Sequence, residues 1–223
     1  MARTKLKDRT LPHYTRAEEI MNMVTHIAGG SLGIAGPLLC VLKAVLAANT
    51  LAITCSVIYG LSMIFLYCMS SIYHGLRPGT GKKVMQIIDH CTIYFLIADT
   101  YTPIVLCAIA PRYPTIGWGL FAAEWILAIL AATLTAIDLR TYRVFSMICY
   151  IVMGWGIIFF LPQTIAVISL TGFWFLLAGG ICYTIGAVLF GLGKMLRWMH
   201  CVFHIFVVLG TLLQLIAILR FVL

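Results

Sequence analysis

Charge is what this sequence has least of. Only 10% of its 223 residues are Asp, Glu, Lys or Arg, and just 7 are acidic. Soluble domains carry roughly 25% charged residues, so the composition excludes a water-soluble globule. Low-complexity segments and internal repeats are also missing. A bilayer crossing takes ~20 mostly apolar residues. Seven crossings with short loops fill nearly the whole length and leave no room for a second, soluble domain. Paired cysteines are absent too. The chain has 8 cysteines (Cys40, Cys55, Cys68, Cys91, Cys107, Cys149, Cys182 and Cys201) without a C-x-x-C pair, all inside or at the ends of apolar segments. They read as buried thiols that pack like small hydrophobes, not as disulfides. A cleavable leader is not expected, because the apolar stretch after the basic first 16 residues is too long for one.

What is present is a series of long apolar runs broken by charge, Pro or Gly. They predict helices at about 20–45, 51–73, 84–108, 115–137, 144–161, 167–190 and 198–220. The expected fold is an all-α integral membrane protein: a cytoplasmic tail at 1–19 and a seven-helix transmembrane domain at 20–223. Basic residues test the orientation. Arg3, Lys5, Lys7, Arg9 and Arg16 precede the first helix, and Arg77, Lys82 and Lys83 follow the second. Arg140 and Arg143 follow the fourth, and Lys194 and Arg197 the sixth. Only Lys43, Arg112 and Arg220 of the 15 basic residues fall on the other side. Cytoplasmic loops concentrate Lys and Arg, so the amino terminus is expected inside and the carboxyl terminus outside, in the inner or plasma membrane. A six-span reading would scramble this alternation. The net charge of +8 is absorbed by orientation and requires no nucleic-acid partner.

Ionisable groups within spans are costly and mark candidate sites. Here they are His26, Asp89, His90, Asp99, Glu124, His200 and His204, with His74 ending the second helix. Glu19, Asn22 and His26 share one stripe of the first helix, Ser70 and His74 are one turn apart, and His200 and His204 are again four apart. In the predicted topology these groups, with Asp89 and His90, lie at one depth near the cytoplasmic side. A His pair at i, i+4, a third His from another helix and a nearby carboxylate match a zinc site. Three imidazoles and an open position are the catalytic arrangement. Blander roles are read for the others. His90 reads as an interhelical or outer-sphere group, and His26 as either a polar bridge or a site-lining residue. Ser70 can bond back to the carbonyl one turn earlier. Asp99 and Glu124 are expected to be packing partners or cavity-lining groups, His13 a tail residue without a role, and Gly29, Gly30, Gly33 and Gly36 close-packing positions.

The run Glu19, Asn22, Thr25, His26 resembles the E-x-x-N-x-x-[ST]-H opening of bacterial haemolysin III proteins. Ser70 to His74 resembles their S-x-x-x-H, Asp89 their third-helix aspartate, and His200 to His204 their closing H-x-x-x-H. That family groups with the progestin and adipoQ receptors, including the adiponectin receptors, and more distantly with the alkaline ceramidases. The resemblance implies zinc held by His74, His200 and His204 at a cytoplasm-facing site. It also implies Asp89 in contact with the zinc-bound water and Ser70 in support. The soluble amino-terminal region of the animal receptors has no counterpart in the short tail.

Three functions follow from these features. The first is a zinc-dependent hydrolase acting on a lipid amide or ester in the membrane. There Asp89 would move the proton and Ser70 would orient Asp89 or bind the oxyanion. The second is a non-enzymatic receptor or regulator braced by zinc, and the third a haemolysin-like pore former. A pore former must stay soluble before insertion, and this chain has no polar surface for that. The expected partner is a membrane lipid or another apolar small molecule.

Overall fold

The computed structural model describes residues 4–193 and 195–223. Arg3 and Lys194, both used in the orientation count, lie outside the described residues. Among those described, all regular structure is helical. α1 covers Arg16–Leu46, α2 Thr50–Gly75, α3 Thr80–Pro103, α4 Pro114–Ile137, α5 Arg143–Trp155, α6 Leu161–Leu192 and α7 Met199–Ala217. α3 continues into a π-helical stretch, Ile104–Ile109, and α7 into another, Ile218–Val222.

Local chemistry accounts for the main boundaries. Thr15 caps α1 in a capping box: its Oγ1 accepts from Glu18 N at 3.3 Å, while Thr15 N donates to Glu18 Oε2 at 2.8 Å. Asn49 caps α2 by accepting from Ala52 N at 3.0 Å. Pro114 opens α4, where its missing N–H costs nothing. Pro103 has no N–H to give the previous turn, and the ladder widens to π immediately after it.

Six stretches are long and apolar enough to cross a membrane. Five correspond to the expected helices at about 20–45, 51–73, 84–108, 115–137 and 198–220. The sixth, Arg143–Leu192, runs 50 residues where two helices were expected. A straight helix of that length would reach about 75 Å, far beyond a ~30 Å hydrocarbon core. The stretch is not straight. It tightens to 3₁₀ at Gly156–Phe160 and kinks at Ser169, whose φ of 65° and ψ of 164° are non-helical. The expected break at 162–166 is itself helical, because Pro162 sits in the first turn of α6 and starts a helix as readily as it ends one.

Packing reverses the soluble pattern. Large apolar side chains such as Ile34, Leu38, Leu42, Leu61, Ile126 and Val188 lie outward, while the polar residues of the spans turn inward beside a core of Tyr59, Met63, Tyr67, Ile109 and Ile168. The buried stripe of α1 reads Glu18, Asn22, His26, Gly29, Gly33, Gly36, Cys40, Ala44: polar at one end, small along the rest. Helices in lipid associate through close approach and hydrogen bonds, since burying apolar area gains nothing against lipid tails. α1 accordingly lies against α2 and α7, with α3 between α2 and α4. Gly60 of α2 faces Pro37 of α1, and a Cβ there would come within 2.6 Å of the Pro37 Cβ. Hydroxyls stitch the remainder. Tyr67 donates to Thr211 Oγ1 at 2.8 Å, where Tyr183 also bonds at 2.8 Å, joining α2, α6 and α7. Tyr94, Thr135 and Ser146 form a second chain at 2.9 and 3.0 Å across α3, α4 and α5.

The α1–α2 contact gives a direct test. Gly60→Val should lower the stability of detergent-purified protein by about 1–3 kcal/mol through overpacking. Gly81→Ala, where a Cβ meets nothing within 4 Å, should leave the melting curve in place.

Candidate metal centre

Three of the helices bring one imidazole-rich end together. His74 stands on the last turn of α2, and His200 and His204 on the first turns of α7. α7 is aimed by its entry. Trp198 adopts a left-handed conformation (φ 66°), and its N–H donates to Glu18 Oε1 at 2.9 Å, which docks the start of α7 on the start of α1. A left-handed Trp is strained and persists only where its surroundings hold it. His200 follows two residues later.

The three rings are buried, and one ligand nitrogen from each lies within 4.8 Å of the others. His200 Nε2 is 3.4 Å from His74 Nε2 and 3.2 Å from His204 Nε2. The outer nitrogens fix the tautomers. His74 Nδ1 faces Glu19 Oε2 at 2.7 Å, and His204 Nδ1 faces the Asn22 carbonyl at 3.1 Å. Both partners only accept, so both Nδ1 atoms carry the proton and both Nε2 atoms are bare. At most one proton, on His200, lies among three converging nitrogens. A cation resolves that repulsion. Two nitrogens bound tetrahedrally at 2.0–2.1 Å would be ~3.3 Å apart, close to the two separations observed. Ligating histidines commonly donate their other N–H to a carboxylate or carbonyl, and these two do. The donor set therefore fits zinc, with His74, His200 and His204 as the residues that could hold it.

The remaining candidates fall around this cluster. Glu19 is held by Lys82, whose Nζ reaches Oε1 at 2.7 Å and caps the Leu76 carbonyl at 3.0 Å. His26 stacks on His204 with ring centroids 3.7 Å apart, and neither of its ring nitrogens has a hydrogen-bond partner. The bridging role for His26 is therefore not seen; it lines the cavity. Ser70 also lines the cavity, and its buried Oγ has no partner, so it does not bond back to its own helix. Asp89 is not part of the triad. It faces the same cavity with its Oδ2 3.7 Å from His90 Nδ1. His90 donates Nδ1–H to the Gln86 carbonyl at 2.8 Å. Asp99 and Glu124 are buried elsewhere in the bundle, Glu124 against Gly156 where α5 tightens.

The cavity occupies ≈ 790 Å³ among α2, α3, α5, α6 and α7 and runs along α7 from His200 to Gln214. Fourteen residues of helix make this about 21 Å. Its walls are mainly apolar, with polar groups near the histidines. Over the mouth lies the segment before α1. Tyr14 stacks on His200 at 4.9 Å between centroids, and burial holds its phenol protonated, well above the ordinary tyrosine range. The sequence reading missed Tyr14 and Lys82 as site residues, and it gave His13, which lines the mouth, no role. Tyr14 had one available signal, an apolar side chain directly before the Thr15 cap, where a hydrophobic staple sits. Lys82 had none: a cation in the first turn of a helix opposes the dipole and reads as a loop charge.

The chain is similar to known proteins over most of its length. The haemolysin III-related family matches residues 14–215, a range that includes the whole histidine cluster. The chain is 36% identical to Hemolysin-3 of Bacillus cereus over 92% of each protein. It is 33% identical to the Hemolysin-3 homolog of Bacillus subtilis (strain 168) over 89% of this chain and 91% of that protein. A more distant relative is the monocyte to macrophage differentiation factor of Homo sapiens, 24% identical over 74% of this chain and 68% of that protein. A helical bundle with six membrane-capable stretches and this family match lead to one identification: the chain is a multi-pass integral membrane protein of the haemolysin III-related family.

Proposed function

We propose that the protein is a zinc-dependent hydrolase of a lipid amide or ester, working inside the membrane. One observation carries this reading. Three imidazole nitrogens converge at a ≈ 790 Å³ cavity that Asp89 and Ser70 also line. Zinc at His74, His200 and His204 would polarise a carbonyl and acidify water. The chain's own residues supply the rest. Glu19, fixed by Lys82, and the Asn22 carbonyl hold the His74 and His204 rings in the tautomer that leaves Nε2 free. Asp89 accepts a proton and returns it to the leaving group. Ser70 and His26 have hydrogen-bonding capacity that nothing in the protein uses, and they would position the polar linkage.

A second reading, a non-enzymatic zinc-containing receptor or regulator, draws on Tyr14. Its ring covers His200 on the mouth side, as a site that only braces α2 and α7 would allow. In this second reading the same ligands serve structure alone.

For topology, we propose that Arg143–Leu192 crosses twice, giving seven spans. The amino terminus is then cytoplasmic, the carboxyl terminus outside and the location the inner or plasma membrane. The length of that stretch and the kink at Ser169 support this, together with the distribution of Lys and Arg.

Four measurements test these assignments. Purified protein should carry about one zinc per chain by mass spectrometry, and His74→Ala and His200→Ala should each lose it. A folded wild type without metal would sink both zinc readings. Glu19→Ala should weaken zinc retention about 10–100-fold in chelator competition. Asp89→Asn should keep zinc and lose lipid hydrolysis by about 10²–10⁴-fold, whereas under the regulator reading it should leave the cellular phenotype intact. An amino-terminal fluorescent fusion should glow and a carboxyl-terminal alkaline phosphatase fusion should be active. The reverse pattern would invert the topology.

A further inference from the structure

The segment ahead of α1 delivers an arginine to a place where orientation in the membrane gives it no reason to be. Arg9 is 8% exposed and lines the cavity mouth. Its Nη2 makes one long bond, 3.4 Å, to the Ile137 carbonyl, and its Nε and Nη1 have no partner. A buried guanidinium without an acceptor is costly, and breaking up a buried charge pair is among the largest single losses a fold can suffer. The position is built, not incidental. Thr4 N donates to Asp138 Oδ2 at 2.7 Å, Lys83 Nζ donates to the Lys7 carbonyl at 2.7 Å, and Tyr14 stacks on His200. These contacts fasten the segment on both sides of Arg9.

Two further arginines line the same mouth, Arg140 and Arg143, both exposed. Their place in a cytoplasmic loop is what orientation requires; the buried Arg9 beside them is not. Among the described residues no carboxylate lies within ion-pairing distance of any of the three. Asp8 and Asp138 are the nearby acids. Asp138 is committed to backbone: Thr4 N on Oδ2, and Arg140 N and Thr141 N on Oδ1 at 3.0 and 3.2 Å. Those bonds, Thr4's foremost, hold its carboxyl well below the usual carboxylate range, so it stays charged while its oxygens are occupied. Three cations thus line a cavity whose acids are Asp8 and Asp89, the latter 3.7 Å from His90, and whose walls are mainly apolar.

We infer that Arg9, Arg140 and Arg143 form a phosphate site at the cavity mouth, filled by a phospholipid headgroup whose chains enter the cavity or by free phosphate. Guanidinium binds phosphate oxygens through charge-assisted N–H bonds, and Arg9 has two nitrogens, Nε and Nη1, without partners. A headgroup held here would leave the bonds just below it nearest the histidine end of the cavity. The headgroup source rests on the lipid reading of the cavity; the anion site does not.

The test is a binding titration, followed by thermal shift, of the purified full chain in uncharged detergent. Phosphatidic acid is compared with diacylglycerol of the same chains, and inorganic phosphate is added alone and as competitor. Phosphatidic acid should bind at least about tenfold more tightly than diacylglycerol. Arg9→Gln and Arg143→Gln should each remove most of that preference, Arg9→Lys should restore part of it, and Arg77→Gln, an equal charge change at an exposed residue away from the cavity, should leave it. Phosphate that stabilises the protein alone and displaces the lipid, both dependent on Arg9, assigns the site to a free anion. Arg143 is exposed, so its variant carries the test if Arg9→Gln fails to fold. His204→Ala should keep the preference, which separates loss of the metal site from loss of this one. Equal affinity for the two lipids with no phosphate effect, or a preference indifferent to Arg9 and Arg143, would overturn the proposal.

Discussion

Three imidazoles pointing nitrogens at one another inside a membrane protein set the conditions for everything around them. A ligating ring is oriented by its far nitrogen, because the near one is spent on the centre. For His74 that means a carboxylate, and for His204 a main-chain carbonyl. The carboxylate in turn needs a cation, which explains a lysine buried to 3% exposure beneath the end of α2. One constraint therefore recruits α1, α2, α3 and α7 at one end of the bundle. The polar half of the α1 stripe exists to serve it, and the glycine half lets α1 lie close enough to α2 to do so.

Lipid removes the usual reason for burying apolar side chains, so the bundle is organised by what lipid cannot accept. Polar atoms turn inward, small residues make the crossings, and large apolar residues coat the outside. The same logic explains why irregular backbone sits where it does. The π turn after Pro103 is buried among neighbouring helices, as non-helical backbone at membrane depth has to be. The kink at Ser169 gives Arg143–Leu192 a change of direction that no Pro or Gly at that position announces.

The histidine cluster was legible because it obeys the helical period. His200 and His204 at i, i+4, with Ser70 and His74 at the same spacing, can be placed on faces without knowing any contact, and the spans put them at one depth. Glu19 and Asn22 were legible as a stripe with His26, though not that Asn22 would meet His204 through its main-chain carbonyl as well as His74 through its side-chain amide. Tyr14, Lys82 and Arg9 were not legible. Each acts across elements far apart in sequence, and each resembles the solvated basic or polar flank that any cytoplasmic segment carries. Only packing separates an arginine that marks orientation from one buried beneath the end of α4. The double crossing proposed for Arg143–Leu192 rests on charge alternation, which length alone cannot supply.

The placement of the histidines on the wall of a ≈ 790 Å³ cavity limits what chemistry the fold can host. An acyl chain entering the ≈ 790 Å³ space would point away from the mouth, since Gln214 lies about 21 Å along α7 from His200. The bonds nearest His74, His200 and His204 would then be those joining chain to headgroup, never those along the chain. A polar linkage there would meet Ser70 and His26, whose hydrogen-bonding capacity the protein leaves unused. Burying such groups without partners is costly, and a polar ligand at this wall would satisfy them. A non-enzymatic brace would need the histidines and Glu19 but would gain nothing from an unpartnered serine and histidine beside them. That asymmetry weighs the arrangement toward a cavity that receives a linkage, and it sets the regulator reading the harder task of explaining them.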